Sequence, residues 1–130
     1  MSVAVIDAGI AIGWMQGRHR SRAELDRLRR ACRDGQTELV ISVVNLAEVL
    51  IHTAELSRAT GVDAVALLTA SRVRIHQPDE AIARRVAKLS TSLADGFAAA
   101  TAQELGARLH TTDAELARQL RGTRLAVTHY

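Results

Sequence analysis

Short runs rich in aliphatic and β-branched residues recur along this chain. Stretches of helical spacing separate them, the pattern of βα units wound around a parallel sheet. The runs are Val3 to Ile6, Glu38 to Ile41, Val73 to His76, Arg108 to His110 and Leu125 to Thr128. Between them, Leu25, Leu28 and Cys32 follow a helical period, as do Leu46, Val49, Leu50 and Thr53, then Ile82, Val86 and Leu89, then Ala98, Thr101, Ala102 and Leu105. Gly35, Gly61, Gly106 and Gly122 fall where helices should stop, and Asp79, after the lone Pro78, is placed to cap the helix through Leu89. The expected fold is α/β, with a mainly parallel sheet of about five strands and Leu125 to Thr128 at an edge.

With 130 residues and 48% hydrophobic content the chain can bury a core of its own. No linker, repeat or low-complexity tract divides it, so residues 1–130 read as one domain. The single cysteine, Cys32, has no disulfide partner and no Cys or His at zinc-finger spacing, and reads as a small packed side chain in a reducing compartment. The first residues lack the basic lead of a signal peptide, and no apolar run approaches the ~20 residues that span a bilayer, so a cytoplasmic protein away from membranes is expected. Of 17 basic residues only Lys88 is not arginine, a bias that suits bidentate phosphate contacts and that a GC-rich genome also produces. Seven of the arginines lie between Arg18 and Arg33, a stretch that serves either as a solvated helix face or as a rim for phosphates or a protein partner. Phe97, Tyr130 and Trp14 are the only aromatics, too few for a protein that binds by stacking bases on aromatic platforms.

Four of the 14 acidic residues interrupt core-forming sequence. Asp7 closes the run Val3 to Ile6, Glu48 lies inside Ile41 to Ile51, Asp95 opens the stretch to Ala102, and Asp113 follows Leu109 to Thr112. A carboxylate among apolar residues costs solvation free energy unless it is paired, hydrogen-bonded or bound to a metal. Each of the four has an ordinary reading, as a turn residue for Asp7 and Asp113, a helix cap for Asp95 and a solvated helix position for Glu48. Their joint placement is less ordinary, because ligands in open α/β sheets bind beyond the carboxyl ends of the strands, and all four fall there. Two carboxylates about 4 Å apart repel by roughly 4 kcal/mol at an effective dielectric near 20. A shared cation removes that conflict, and all-oxygen donors select Mg2+ or Mn2+ over zinc. Asn45, one turn before Glu48, faces the same way, and His110, three residues before Asp113, is near enough in sequence to reach the site. Glycine-rich phosphate loops, nucleophile elbows and dinucleotide fingerprints are absent from the sequence.

The stretch Asp95-Gly96-Phe97-Ala98-Ala99-Ala100-Thr101-Ala102, continuing through Leu105-Gly106 to Leu109-His110-Thr111-Thr112-Asp113, resembles a signature of the PIN-domain family, and in particular of VapC-like toxins. Val5-Ile6-Asp7 is similar to the first strand and first metal-binding aspartate of that family, and Ser42 to Leu50 to its Ser-to-Glu segment. The resemblance implies a three-layer α/β/α sandwich, metal-dependent cleavage of RNA and a small cognate antitoxin as partner. It implies metal-binding and catalytic roles for Asp7, Glu48, Asp95 and Asp113, with support from Thr111 and Asn45. It also implies a homodimer, which suits the apolar helices expected over Leu46 to Leu56 and Val62 to Leu68. One departure is Gly9, where many members carry a serine or threonine. Two other readings remain open on sequence grounds. A phospho-accepting receiver domain also gathers acids at a sheet edge, but it needs a phosphoacceptor after the third strand and a lysine after the last, and neither is present. A catalytically idle PIN module acting as a protein-binding scaffold would keep the same fold.

Overall fold

The structure, a computed structural model, describes residues 2–130. In chain order it contains β1 (Ser2–Ile6), α1 (Ala8–Gln16), α2 (Arg22–Arg33), β2 (Thr37–Ser42), α3 (Val43–His52), α4 (Ala54–Thr60), α5 (Ala64–Ala70), β3 (Arg74–His76), α6 (Glu80–Ala87), α7 (Leu93–Leu105), β4 (Arg108–Thr111), α8 (Ala114–Gln119) and β5 (Val127–His129). The strands form one sheet in the order β3-β2-β1-β4-β5, and every neighbouring pair is parallel. β1 is central because its run Val3-Ala4-Val5-Ile6 is apolar on both faces and must be covered on both. The edge strands β3 and β5 are short and carry Arg74, His76, Thr128 and His129, which suits a position with one open side.

Alternate side chains of the central strands feed two cores. On one face Ala4, Ile6, Leu39 and Ile41 pack against α1, α2, α3 and α5 through Ile10, Leu25, Leu46, Val49 and Leu68. On the other, Val5, Val40 and Leu109 meet Ala98, Ala99 and Ala102 of α7 and Leu116 of α8. This is the expected three-layer sandwich. The alanine face of α7 lets that helix lie close to the sheet, and Gly96 lets it lie close to α6, since a Cβ there would stand 2.9 Å from Val86 Cγ1. Asp79 caps α6 as expected, its Oδ1 accepting from the Ile82 N–H at 3.1 Å, and Cys32 is buried with its Sγ 3.6 Å from the Arg72 carbonyl oxygen.

Three features depart from the sequence reading. Helix α1, directly after Asp7, has no amphipathic period, because Ala8, Ile10, Ala11 and Gly13 are buried on several sides of it. The helix expected from Leu46 to Leu56 breaks at the buried Thr53, whose hydroxyl and N–H both bond the Val49 carbonyl, at 2.7 and 2.9 Å. β5 starts two residues later than its apolar run suggests, at Val127. Leu50, Ile51 and Val62 are left 38%, 75% and 47% exposed on the α3–α5 side. Among the described residues no helix is long and apolar enough to cross a membrane.

Candidate metal centre

Parallel topology puts the ends of β1, β2 and β4 and the starts of α1, α3 and α7 at one edge of the sheet, so residues from six elements meet there. Asp7 sits at the centre. Its N–H donates to the His110 carbonyl at 3.1 Å, extending the β1–β4 ladder by one residue, and its extended backbone (φ −85°, ψ 178°) makes it the N-cap of α1. Oδ1 accepts from the Ile10 N–H at 3.1 Å, and Oδ2 accepts a hydrogen bond from the Thr111 hydroxyl. Thr111 Oγ1 in turn accepts from the Asp113 N–H at 2.9 Å, so the loop after β4 is tied through one buried hydroxyl to β1. Only 4% of Asp7 is exposed. Burial pushes its pKa up from 3.8 to about 6, with the hydrogen bonds from Thr111 and Ile10 opposing and the negative charges of Asp95 and Asp113 adding to the rise.

Glu48 reaches the same edge from α3. Ser42 caps that helix through the Val44 N–H at 3.3 Å, and Asn45, one turn in, is 1% exposed. Asn45 Nδ2 donates both to Glu48 Oε1 at 3.3 Å and to the Ala94 carbonyl at 3.0 Å. It therefore fixes Glu48 relative to the residue preceding Asp95. Its Oδ1 is buried with no hydrogen-bond partner among the described residues.

Asp95 is not a cap. Ser92 caps α7, accepting from the Asp95 N–H at 3.4 Å, and Asp95 occupies the third helical position, half-buried. Burial raises its pKa above the ordinary carboxylate range, the Ser92 side chain works against the rise, and the charge of Asp113 adds to it. The Ser-x-x-Asp spacing from Ser92 to Asp95 is the signal that identifies the true cap. Asp113, by contrast, is exposed and caps α8, with Oδ1 accepting from the N–H groups of Glu115 and Leu116 at 2.9 and 3.2 Å. The apolar run before it ends in β4, and the chain surfaces one residue later.

His110 turns away from the carboxylates: its Nδ1 lies 2.7 Å from the Tyr130 hydroxyl, and burial with the nearby Arg108 charge lowers its pKa to about 4. Its contribution to the edge is the backbone carbonyl that receives the Asp7 N–H. None of the ion pairs among the described residues includes Asp7, Glu48, Asp95 or Asp113. Also among the described residues, no three or more His, Cys, Asp or Glu side chains stand close enough to hold a metal ion as placed. The donor chemistry nevertheless fits a hard cation: carboxylate oxygens from several elements at one sheet edge, the most buried of them, Asp7, without an ion-pair partner among the described residues.

With this geometry in view, the chain belongs to the PIN-domain family: the family model described as PIN domain matches residues 4–120. That match replaces the receiver-domain alternative. Among solved structures the fold is similar to VapBC2 from Rickettsia felis bound to a DNA fragment from its promoter, with a TM-score of 0.71, 16% identity and 98% of both chains covered. It is similar also to a toxin–antitoxin complex from Klebsiella pneumoniae, with a TM-score of 0.71, 22% identity and 98% of both chains covered. A third likeness is to VapC20 from Mycobacterium tuberculosis, described as a sarcin-ricin loop cleaving toxin, with a TM-score of 0.62, 15% identity and coverage of 90% of this chain and 94% of that one. At these identities the likeness is one of fold. Among curated protein sequences there is no significant match.

Proposed function

We propose that the protein is a metal-dependent endoribonuclease, a single PIN-like domain over residues 1–130 that acts in the cytoplasm as the toxin of a toxin–antitoxin pair. The observation that carries the reading is Asp7, a buried carboxylate with a strongly raised pKa, no cationic partner among the described residues, and three further acids at the same sheet edge. Mg2+ or Mn2+, held by Asp7, Asp95 and Glu48 with Asp113 directly or through water, supplies when bound the positive charge that acidifies an attacking water and offsets charge on the phosphoryl oxygens. The chain's own residues do the rest. Ile10 and Thr111 clamp the Asp7 carboxylate from both sides. Asn45 holds Glu48 where its free oxygen can orient that water or accept its proton during in-line attack on a phosphodiester. Asp113, exposed, is the outermost acid and meets substrate and solvent first.

Partners follow from the surfaces. Arg18, Arg20, Arg27, Arg29 and Arg30 on and before α2 make no ion pair with a described residue, and they offer a positive face to RNA phosphates or to an acidic segment of a small antitoxin. The exposed Leu50, Ile51 and Val62 supply an apolar homodimer contact. The solved toxin–antitoxin relatives support the antitoxin assignment by analogy of fold. The test is to express the wild type and the Asp7→Ala, Glu48→Ala and Asp95→Ala variants, following growth and cleavage of total RNA with and without Mg2+. Growth arrest and metal-dependent cleavage by wild type alone is the expected result. Equal arrest and cleavage by Asp95→Ala would instead make the acids structural and the domain a scaffold.

A further inference from the structure

Residue 9 lies on the first turn of α1, two positions past Asp7, and as Gly9 it has no side chain. The space is not empty. A Cβ built on Gly9 would stand 2.0 Å from Thr112 Oγ1, 3.3 Å from Thr112 Cβ and 3.4 Å from Asp7 Oδ1. The Thr112 hydroxyl therefore rests against the Gly9 backbone, in the volume where a residue-9 side chain would begin, beside the Asp7 oxygen that faces Ile10. Thr112 is held there by its neighbours: Thr111 is fully buried and bonded to Asp7, and Asp113 is bonded back to Thr111 and fixed as the α8 cap. Thr112 is itself only half-buried, and no hydrogen bond to another described residue engages its hydroxyl.

We propose that Thr112 is a positioning residue for the acidic pocket, bringing a hydroxyl from the β4–α8 loop to the Asp7 end of α1, and that Gly9 is glycine because that hydroxyl occupies its side-chain volume. The role is to steer Asp7 and the water or cation it holds, in the way groups behind metal ligands fix ligand orientation. Two residues far apart in sequence thus form one unit. Any side chain at residue 9 displaces the Thr112 hydroxyl, and a hydroxyl returned at residue 9 replaces it. The cleavage readout rests on the ribonuclease reading, while the metal-affinity readout does not.

The experiment measures Mn2+ affinity by calorimetry, RNA cleavage and melting temperature in six proteins: wild type, Thr112→Val, Thr112→Ser, Gly9→Ala, Gly9→Ala/Thr112→Ala and Gly9→Ser/Thr112→Ala. Thr112→Val and Gly9→Ala should each weaken Mn2+ binding and cleavage by about tenfold with the fold intact. Gly9→Ala/Thr112→Ala should lose no more than Gly9→Ala or Thr112→Val does alone. Thr112→Ser should behave as wild type, and Gly9→Ser/Thr112→Ala should regain most of the loss. Wild-type affinity in Thr112→Val, or losses that simply add in the Gly9→Ala/Thr112→Ala protein, would overturn the inference. Wild type that binds Mn2+ and follows this pattern without cleaving RNA would uphold it and reject the nuclease reading. Wild type that binds no Mn2+ would overturn both.

Discussion

Replacing Asp7 by asparagine should stabilise the metal-free protein at alkaline pH and remove the share of its pH dependence that Asp7 contributes. In the folded chain Asp7 titrates at about 6, against an ordinary value of 3.8, so the folded state holds its proton more tightly than the unfolded state does. Stability then falls as pH rises from 3.8 through about 6, and above that range the full penalty of a buried charge is present. At 1.36 kcal/mol per pH unit the penalty is about 3 kcal/mol. Asparagine keeps the acceptor for the Ile10 N–H and the shape of the cap, but leaves the Thr111 hydroxyl to find a new acceptor, a cost of about 1 kcal/mol. The net gain at pH 8 is about 2 kcal/mol, and for a domain of this length each kcal/mol moves the melting temperature by about 3–5 °C. Asp7→Asn should therefore melt about 6–10 °C above wild type at pH 8 in chelator, and close to wild type at pH 4. Adding Mn2+ should raise the wild-type curve and leave the variant in place. A variant no more stable than wild type at pH 8, or one equally stabilised at both pH values, would show that Asp7 is not a strained buried charge.

Asn45→Ala should cost about 1–3 kcal/mol in urea unfolding and lower cleavage by about 10–100-fold, since Glu48 loses its tie to α7; full activity in a stably folded variant would refute that link. Asp113→Ala should lose about 0.5–2 kcal/mol as the α8 cap and retain more cleavage than Asp95→Ala, whose removal leaves the Ser92 cap in place; the reverse ranking in a total-RNA assay would move Asp113 to the centre of the site. Ile51→Glu should turn a homodimer into a monomer in light scattering at micromolar concentration, and a monomeric wild type would remove the interface.

The parallel sheet could be read from its strands because both faces are buried, so Val3 to Ile6 and Leu39 to Ile41 stand out as unbroken apolar runs. Helix α1 could not, and for the same reason: a segment packed on several sides loses the period that marks a helix, and Gly9 and Gly13 weaken its propensity further. At the candidate site, apolar flanks drew attention to four acids but overstated their burial. Glu48 and Asp95 are half-buried and Asp113 is exposed, because sequence context reports the element a residue adjoins rather than the depth at which its side chain ends. Thr111, singled out through the resemblance, hydrogen-bonds the Asp7 carboxylate. The contact between Thr112 and Gly9 had no local signal, since it joins a helix and a loop through space across the β1–β4 pair.

That pair also sets the order in which the site can come into being during synthesis. Asp7 and Thr111 are separated by 104 residues, and β1 is the first strand to emerge while β4 is among the last. A growing chain can pair β1 with β2 early, but until β4 arrives one side of β1 stays open and Asp7 remains in water, without the hydroxyl that clamps it. For the ribonuclease proposed above, this late closure means that the messenger and ribosome producing it face no assembled site until β4 has been made.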